Sequence, residues 1–384
     1  MILYLTYNDQ PSGVYWSQVT DVVDHLNGLD DVRVRLVAFV SIRGFGSTRR
    51  AIKQRSPKAV VVPMVPQMRR WKWNTFLLGV VCLLLRPSGV VARGVFATWM
   101  ALRVRDLGLV ERVCFDGRGA YAAEWEEYRL IDDDALIAQF RPLEQRSVCD
   151  ADFRLAVSAS LVQHWRERYG YVGEEHIVVP CTLGTHMGEQ EDLVFASDRA
   201  GTPYGPTDIV LVYSGSTAGW QSFELLSSFL TELLGPKPEM KVLFLSKPDP
   251  NNAMLKERFP GQVSVKWLAP EDVARWLRAC DHGIMLREET LTNRVASPTK
   301  FAEYLSAGLP VVISPNLGDF SGLVEQEHLG SVYRPGTGTL RLGRTNDSER
   351  QRLSRFAIRY FTKEAFDPAY MRLLEALVPG RVQR

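Results

Sequence analysis

Short apolar runs rich in β-branched residues alternate with longer amphipathic stretches along the whole chain. The amphipathic stretches repeat apolar residues at helical spacing, as in residues 13–26, where Val19, Val22, Val23 and Leu26 share one face. Strands that alternate with helices are typical of parallel sheets covered by helices on both faces. The pattern therefore predicts an α/β fold built from doubly wound parallel sheets.

The same pattern gives bounds for the predicted elements. In the first half of the chain, strands are predicted at residues 2–6, 32–39, 59–62, 90–92, 112–115, 153–157 and 177–179, and helices at 13–26, 132–149 and 160–169. In the second half, strands are predicted at 209–213, 241–246, 263–267, 283–286 and 311–314, and helices at 222–234, 270–279, 298–307 and 364–377.

Periodicity is lost between the two halves, from residue 181 to residue 207, where glycine and proline recur among polar residues. A chain of 384 residues also exceeds what one hydrophobic core usually organises. We therefore expect one domain at residues 1–180, a linker at 181–207 and a second domain at 208–362, with residues 363–384 crossing back to pack on the first. Two facing domains of this kind bind ligands in the cleft between them.

The composition is that of an ordinary globular protein, with 46% hydrophobic and 23% charged residues. Lys and Arg (46) nearly balance Asp and Glu (44), so nucleic-acid binding driven by bulk charge is not expected. The cysteines are odd in number and form no CxxC pair, which indicates reduced thiols in a cytosol. They are Cys82, Cys114, Cys149, Cys181 and Cys280. The first residues lack the features of a signal peptide, and we expect a cytoplasmic protein.

Residues 69–85 allow two interpretations. The apolar run 76–85 is too short to cross a bilayer, because a membrane helix needs about 20 residues. It follows the basic, Trp-rich sequence Arg69-Arg70-Trp71-Lys72-Trp73. The segment is either a buried helix with a solvated cap or a docking surface for the inner face of a membrane.

The segment 287–314 contains the clearest candidate site. Ser297 is a good N-cap, Pro298 suits the first helical position, and Gly308 suits the residue just past the C-terminus. The first turn offers the amides of Thr299 and Lys300 and the positive end of the helix dipole. These groups predict a phosphate-binding site.

Two charged side chains extend this site. Lys300 adds a full positive charge, and Glu303, on the same helical face, can reach the ribose hydroxyls of a nucleotide. The alternative is that Lys300 and Glu303 form only a surface ion pair. Arg287, at the end of the preceding predicted strand, is the expected second cation, and the two cations would stabilise a diphosphate leaving group.

This segment resembles the donor site of the GT-B glycosyltransferases of family 4. The resemblance is carried by SPTKFAEYLSAGLPVV at 297–312, with further agreement in YSGSTAGWQ, KVLFLSK and VKWLAPEDVARWLRACDHGIMLR. It implies two Rossmann-like domains and a nucleotide-diphosphate sugar as donor, UDP-sugar by default. It implies further that the helix N-terminus holds the diphosphate, that Glu303 contacts the ribose, and that the anomeric configuration is retained.

One position departs from the family's pattern. Many members carry a second glutamate eight residues before the first, and that position is Val295 here. Glu288 or Glu289 could substitute for it from the loop. The site is therefore interpreted as modified rather than inactive.

The turn after the strand at 209–213 is a second part of the expected donor site. Gly215 and Ser216 let backbone amides approach a phosphate or sugar closely. The family's basic pair in this turn is replaced by Ser216 and Gln221, so Arg287 and Lys300 must compensate the charge. Trp220 either stacks on the base or belongs partly to the core.

Two further motifs lie in the first half. By resemblance, Gly13, in the loop after the first strand, faces the transferred sugar, and Asp116 and Arg118 of FDGRG lie near the acceptor and the reacting sugar. The alternative for Asp116 is a helix cap with an arginine partner. Asp132-Asp133-Asp134 is interpreted as acidic helix capping rather than as a metal motif, and no metal is expected.

Together these features predict a glycosyltransferase that acts on a glycan or lipid-linked acceptor in bacterial surface-polysaccharide assembly, without a metal or other cofactor. Two alternatives stay open. One is a nucleotide-sugar epimerase of the same fold, which acidic and histidine residues lining both domains would favour. The other is a non-catalytic relative that binds a nucleotide sugar. The absence of the first glutamate and of the basic pair favours this alternative.

Overall fold

A computed structural model of the chain describes residues 1–129, 132–188, 199–215, 221–235, 237–336 and 340–378. The chain divides into two compact units. The first comprises Met1–Gly184 together with the chain from Lys363 onward, and the second comprises Thr185–Thr362. Within the expected linker, residues 181–184 belong to the first unit, and residues 189–198 lie outside the described part.

The first unit is built on a seven-stranded sheet in the order β3-β2-β1-β4-β5-β6-β7, with all neighbours parallel. Its strands are β1 Ile2–Tyr7, β2 Val34–Val40, β3 Val60–Pro63, β4 Gly89–Arg93, β5 Arg112–Gly117, β6 Phe153–Ala156 and β7 His176–Val178. Its helices are α1 Gly13–Tyr15, α2 Asp21–Leu29, α3 Phe45–Arg55, α4 Asn74–Leu85, α5 Gly94–Asp106, α6 Tyr121–Tyr128, α7 Asp134–Asp150 and α8 Ala159–Tyr169.

The second unit is built on a six-stranded parallel sheet in the order β10-β9-β8-β11-β12-β13. Its strands are β8 Ile209–Ser214, β9 Met240–Leu245, β10 Val263–Lys266, β11 His282–Met285, β12 Val311–Ile313 and β13 Gly330–Val332. Its helices are α9 Thr185–Gly188, α10 Phe223–Leu234, α11 Pro250–Arg258, α12 Pro270–Arg278, α13 Leu291–Arg294, α14 Thr299–Ser306, α15 Phe320–Gln326 and α16 Asp347–Phe361.

Every predicted strand is present, with each end within two residues of its predicted position. Strands buried on both faces are continuous apolar runs, and such runs are easy to locate. Strand β13 was not predicted, because its sequence Gly-Ser-Val contains no apolar run. Gly330 fits there because a Cβ at this position would lie 2.0 Å from the carbonyl oxygen of Val311 on the neighbouring strand.

The predicted helix at 13–26 is helical from Gly13 to Leu29 but contains one wide turn. Between α1 and α2, Trp16–Thr20 forms a π-helix, in which the hydroxyl of Thr20 donates to the carbonyl oxygen of Trp16 (2.8 Å). Wide turns of this kind often occur at functional sites, and Gln18 lies within this one.

The predicted tail helix forms as a 3-10 turn at Glu364–Phe366 followed by α17 at Asp367–Leu377. Helix α17 buries Tyr370, Leu373, Leu374 and Leu377 in the core of the first unit. Each such side chain contributes roughly 1.5–3 kcal/mol to stability. Gly89 on β4 makes the close approach possible, because a Cβ there would lie 2.8 Å from the carbonyl oxygen of Leu377.

The strand orders define one special place in each sheet. In the first sheet the chain proceeds from β1 to β2 and β3, and then returns to place β4 on the other side of β1. In the second sheet β8 and β11 flank the corresponding reversal. Ligands of such sheets bind beyond the carboxyl ends of the strands at this switch point. In this fold, ligands are therefore expected beyond the ends of β1 and β4, or beyond the ends of β8 and β11.

Candidate functional site

Helix α14 begins one residue later than predicted. Pro298 lies before its first residue with an extended backbone (φ −64°, ψ 126°), and no side-chain hydrogen bond caps the helix. The predictions of Ser297 as N-cap and of Pro298 as first helical residue were therefore wrong by one position, because the ψ angle of Pro298 is not helical. The first-turn amides of Thr299 and Lys300 have no acceptor within the helix.

The predicted end of α14 is confirmed. The helix ends at Ser306, and Gly308 follows in the left-handed conformation with φ 75°. A side chain at this position would also clash, because a Cβ on Gly308 would lie 2.8 Å from the Cβ of Arg350. Glycine is the residue that tolerates both conditions.

Tyr304 fixes α14 to the ends of the central strands. Its hydroxyl oxygen accepts a hydrogen bond from the amide of Ser214, the last residue of β8 (2.8 Å). Its ring lies against Gly283 of β11, where a Cβ would approach the ring to 2.3 Å. Burial raises the pKa of Tyr304 far above its usual value, so the hydroxyl stays neutral. Helix α14 is therefore attached to both strands that flank the switch point.

Arg287 follows β11 closely, as predicted, and its loop is well ordered by hydrogen bonds. The amide of Arg287 donates to the hydroxyl of Ser314, and its Nη1 donates to Oδ1 of Asn293 (2.7 and 3.3 Å). Asn293 is buried and donates to the carbonyl oxygen of Glu288 (3.0 Å). Sequence analysis missed Asn293, which carries no signal beyond being polar in a segment without apolar periodicity.

Lys300 and Glu303 form an ion pair, as in the alternative interpretation of these two residues. Nζ of Lys300 and Oε2 of Glu303 are 2.5 Å apart, and the two side chains are 32% and 22% exposed. Pairs of this kind contribute a few tenths of a kcal/mol to stability. Breaking this ion pair therefore costs little free energy. The expected roles of both residues toward a nucleotide stay predictions.

The glycine turn begins at the end of β8, whose last residue is hydrogen-bonded to Tyr304 of α14. Gly215 follows β8, and the amide nitrogen Nε2 of Gln221 is 3.6 Å from where a Cβ on Gly215 would lie. The amide of Glu288 donates to the hydroxyl of Ser222 (2.6 Å), which ties the loop after β11 to the start of α10. Ser216 and Trp220 lie at 216–220, outside the described residues.

The position of the missing glutamate holds a buried core residue, Val295. The side chain of Val295 is only 2% exposed, so this position contributes an apolar contact rather than a carboxylate. Glu288 and Glu289 are both exposed in the loop after β11. Nδ2 of Asn316 donates to Oε1 of Glu289 (3.0 Å). Either carboxylate is thus available at the carboxyl edge of this sheet.

The first unit holds a different arrangement around Asp116 of β5. This side chain is fully buried and accepts a short hydrogen bond from the hydroxyl of Tyr4 (2.6 Å). Its two carboxylate oxygens lie 3.5 Å from Nη1 of Arg93 and 3.4 Å from Nη1 of Arg118. Asp9 lies 3.6 Å from Nε of Arg93. We refer to Tyr4, Asp9, Arg93, Asp116 and Arg118 as the Asp116 cluster.

The alternative of a helix-capping Asp116 is half right. Arg118 is its partner, but Asp116 does not cap the next helix. The amides of Tyr121 and Ala122, which open α6, donate to the buried carboxylate of Glu144 (3.2 and 2.9 Å). Burial raises the pKa of Glu144 to about 7, although these hydrogen bonds oppose the shift.

Arg118 is nearly enclosed by protein. Its Nη2 donates to Oε1 of Gln18 and to the sulfur of Cys181 (3.0 and 3.3 Å). Its buried Nε has no hydrogen-bond partner among the described residues. Burial has the largest single influence on the pKa of Arg118 and lowers it, but the Coulombic influences of Asp116, Cys181 and Tyr4 together prevail and the pKa is raised. Arg118 therefore stays charged.

Arg93 and Asp9 were missed by sequence analysis, although a signal existed. Arg93 is the last residue of β4 and Asp9 comes two residues after β1, so both stand at the carboxyl ends of the strands that flank the switch point. Burial alone would lower the pKa of Arg93, but attraction to Asp116 and Asp9 raises it. Two arginines and two aspartates make the cluster nearly neutral overall.

Gly13 opens α1 beyond the end of β1, and a Cβ at this position would meet nothing within 4 Å. Its expected role toward a sugar stays a prediction. The acidic triplet is a helix start, as predicted, because the side chain of Asp133 accepts from the amide of Leu136 at the beginning of α7 (3.2 Å). Among the described residues no group of three or more metal-ligating side chains is found.

No protein-family model matches the chain. No curated protein matches it in sequence. Solved structures do match over nearly the whole chain. Sucrose-phosphate synthase from Thermosynechococcus elongatus has a TM-score of 0.70 at 11% identity, covering 98% of each chain. Anabaena HepE in complex with UDP has a TM-score of 0.70 at 13% identity, covering 98% of this chain and 99% of its own.

The fold also occurs outside transferases. A Listeria monocytogenes protein assigned as a UDP-N-acetylglucosamine 2-epimerase has a TM-score of 0.50 at 12% identity, covering 98% of this chain and 89% of its own. The higher similarity is to the GT-B glycosyltransferases. The chain therefore has the GT-B fold, with two Rossmann-like units, each built on a parallel sheet.

Proposed function

We propose that this protein is a glycosyltransferase that moves a sugar from a nucleoside-diphosphate sugar to a glycan or lipid-linked acceptor in bacterial surface-polysaccharide assembly. One observation carries the proposal. In the second unit, Arg287 follows β11, the Gly215 turn follows β8, and Tyr304 attaches helix α14 to both strands, which flank the switch point of the sheet. This arrangement combines two cations, a helix N-terminus and a glycine turn.

These groups match the charge of a diphosphate. The first-turn amides of α14 and its dipole favour an anion, and Lys300 and Arg287 each add a full positive charge. Glu303, one turn into the helix, is assigned to the ribose hydroxyls. HepE binds UDP on the same fold, which supports a uridine nucleotide as the donor's leaving group.

The chemical step asks for stabilisation of negative charge. As the bond between the anomeric carbon and the diphosphate oxygen breaks, its electron pair stays on the diphosphate. Arg287, Lys300 and the helix dipole stabilise that charge, and an interaction of this kind with a charged group is worth about 1.5–3 kcal/mol. With these cations in place we propose that the transfer proceeds without a metal and with retention at the anomeric carbon.

The Asp116 cluster is assigned to the acceptor and the transferred sugar. Asp116 is surrounded by Tyr4, Arg93 and Arg118, so its carboxylate orients the arginines rather than accepting a proton from substrate. Arg118, whose side chain is 13% exposed, is the cluster's donor toward a hydroxyl oxygen. Asp116 is thus a positioning residue in this proposal.

The epimerase alternative has support from the fold of the Listeria protein. It calls for acidic and histidine side chains around the sugar. Three of the histidines in the described ranges bond elsewhere: His25 to Asp367, His176 to Tyr171, and His282 to the carbonyl of Gly343. At the switch point of the second unit, Arg287 and Lys300 supply two cations suited to a leaving diphosphate. The transferase therefore fits the residues better.

The test begins with thermal unfolding of the full chain in EDTA with UDP, GDP, dTDP and CMP and their sugars. A ligand at 100 times its Kd adds about 2.7 kcal/mol to the stability of the native state. We expect one diphosphate nucleotide to stabilise the protein without metal. No stabilisation by any nucleotide would contradict the proposal.

The stabilising nucleotide sugar is then incubated with the protein, and its products are analysed by NMR and mass spectrometry. Slow release of the free nucleotide and sugar, accelerated by a glycan or lipid-linked acceptor, is expected of a transferase. Conversion to an epimeric nucleotide sugar would identify the alternative enzyme. An unchanged nucleotide sugar under all conditions would identify a binding protein.

A further inference from the structure

Helix α4 presents a continuous apolar face to solvent. Trp73, just before the helix, and Phe76, Leu83 and Leu84 are 61–77% exposed, and Val80 is 40% exposed. At about 100° per residue, these five side chains fall within an arc of about 100° on one side of the helix. An amphipathic helix of a globular protein normally turns its apolar side to the core. This one turns a second apolar side outward.

The opposite side of α4 fixes the helix firmly to the first unit. Leu78 and Cys82 are buried, and so is Asn74 at the start of the helix. Nδ2 of Asn74 donates to the hydroxyl of Tyr7 and to the carbonyl of Trp71, and its Oδ1 accepts from the amide of Val65 (3.1, 2.9 and 2.7 Å). The outward direction of the apolar face is therefore set by specific hydrogen bonds and packing.

The charge around this face is one-sided. Residues 32–105 contain 15 Lys and Arg and no Asp or Glu, whereas the rest of the chain contains 31 and 44. Four of these basic residues adjoin the apolar face and are exposed: Arg69, Arg70 and Lys72 before the helix, and Arg86 after it. Arg69 also pairs with Asp133, the N-cap of α7 (2.8 Å). The apolar face thus has a basic rim at both ends.

We propose that this apolar face with its basic rim docks on the surface of a bilayer that contains anionic lipids. Trp73, Phe76, Leu83 and Leu84 would lie among the acyl chains just below the headgroups, with the helix axis parallel to the membrane plane. The basic rim would contact the lipid phosphates, each cation near such a surface contributing about 1 kcal/mol. None of the described helices is long and apolar enough to cross a membrane.

A second copy of the chain fits this surface less well. In a symmetric dimer the same patch meets itself, so the two basic rims would face one another without an acidic residue from the segment 32–105 to offset them. A membrane with anionic headgroups instead supplies both the apolar phase and the opposite charge. The inference rests on the α4 surface alone and does not depend on the proposed function, although it would bring the enzyme to lipid-linked acceptors.

The test is flotation of the full chain with vesicles of phosphatidylcholine alone, or of phosphatidylcholine with about one-third phosphatidylglycerol. We expect binding to the anionic vesicles and at least a tenfold loss of binding for the double variant Phe76→Ser, Leu84→Ser. Both side chains are exposed, so this variant should fold. Trp73→Ala and Trp267→Ala form a matched pair, because Trp267 is 64% exposed in the second unit. Only Trp73→Ala should weaken binding.

The basic rim is tested by Arg86→Glu against Arg355→Glu, an exposed arginine of α16 in the second unit. Arg86→Glu should reduce binding to the anionic vesicles several-fold and Arg355→Glu should not. Wild-type protein that stays unbound with both vesicle types would overturn the proposal. Binding that the apolar variants leave unchanged would overturn the insertion of α4. A dimer, seen by light scattering, that Phe76→Ser with Leu84→Ser converts to monomers would assign the surface to a second copy instead.

Discussion

The two sheets of this protein share one topology but have unlike switch points. At the ends of β1, β4 and β5, the Asp116 cluster is nearly neutral, and its central carboxylate is fully buried. In the second unit, Lys300, in the first turn of α14, and Glu303 are partly exposed, and Arg287 follows β11. The first set is held rigidly by its own partners, whereas the second can exchange a weak internal pair for a ligand.

Position in the fold therefore does not by itself determine what a site binds. A switch point provides only a place where side chains from several strands converge. Burial then decides whether charged groups bind one another strongly or stay available. Under the proposed function, the buried set orients a neutral, hydroxylated group, and the partly exposed set binds an anion that enters and leaves.

The largest expected effect comes from breaking the Asp116 cluster. Asp116→Asn should lower the free energy of unfolding by about 3–5 kcal/mol, because it leaves Arg93 and Arg118 buried without their shared carboxylate. Urea denaturation measures this loss. Asp106→Asn is the control, since Asp106 pairs with Arg103 and Arg146 in solvent and should cost less than about 1 kcal/mol. Equal effects of the two variants would contradict the distinction drawn between the sites.

Glu144 offers a second test in the first unit, because it is buried and no cation among the described residues pairs with it. Its pKa is raised from 4.5 to about 7, so the native state holds a proton that the unfolded chain releases above pH 4.5. Stability should therefore be highest below pH 4.5 as far as Glu144 is concerned, and should fall by up to roughly 3 kcal/mol as pH rises to 7. Glu144→Gln should remove this slope in unfolding free energies measured between pH 5 and 8. A slope that the variant retains must come from other groups.

Gly283→Ala tests how tightly α14 is fixed at the second switch point. The added Cβ would lie 2.3 Å from the ring of Tyr304, so we expect a loss of about 1–3 kcal/mol in unfolding free energy. Gly322→Ala is the matched control. Gly322 lies in helix α15, and a Cβ there would meet nothing within 4 Å. A neutral Gly283→Ala variant would show that α14 can shift, and would weaken its role as a fixed phosphate site.

The smallest effect on stability is expected for changes to Lys300 and Glu303, although these changes should clearly weaken nucleotide binding. Lys300→Gln and Glu303→Gln each remove a partly exposed ion pair and should change the free energy of unfolding by less than about 0.5 kcal/mol. Either change should nevertheless weaken nucleotide binding by at least about tenfold, because interactions with charged groups are worth about 1.5–3 kcal/mol. Thermal unfolding with and without the nucleotide gives both quantities. A loss of stability without a loss of binding would leave the pair a purely structural feature.

The sequence was sufficient for the strands because buried parallel strands leave apolar runs, and for the end of α14 because Gly308 has a special conformation. The sequence was insufficient for β13, because this strand is defined by its pairing with β12 and not by an apolar run of its own. Ser297 was misplaced as a cap because Ser-Pro permits a helix start at either of two neighbouring residues.

The buried partners of Asp116 show a further limit. Tyr4 lies inside a strand and resembles any core aromatic in the sequence, yet its hydroxyl completes the cluster. Arg93 and Asp9 could have been found by asking which polar residues stand at strand ends, the same rule that identified Asp116. Asn293 could not, because its role depends on the path of the segment after β11, which no periodicity describes.

The most direct test of the central claim is calorimetric titration of UDP, in EDTA, into the wild-type chain, Arg287→Gln and the exposed control Lys256→Gln of helix α11. We predict saturable binding of UDP by the wild type and by Lys256→Gln, and at least tenfold weaker binding by Arg287→Gln. Equal affinity in all three proteins would contradict the assignment of the diphosphate to the second switch point. If no nucleoside diphosphate bound to the wild type, the proposal that this GT-B protein uses a nucleotide-sugar donor would be wrong.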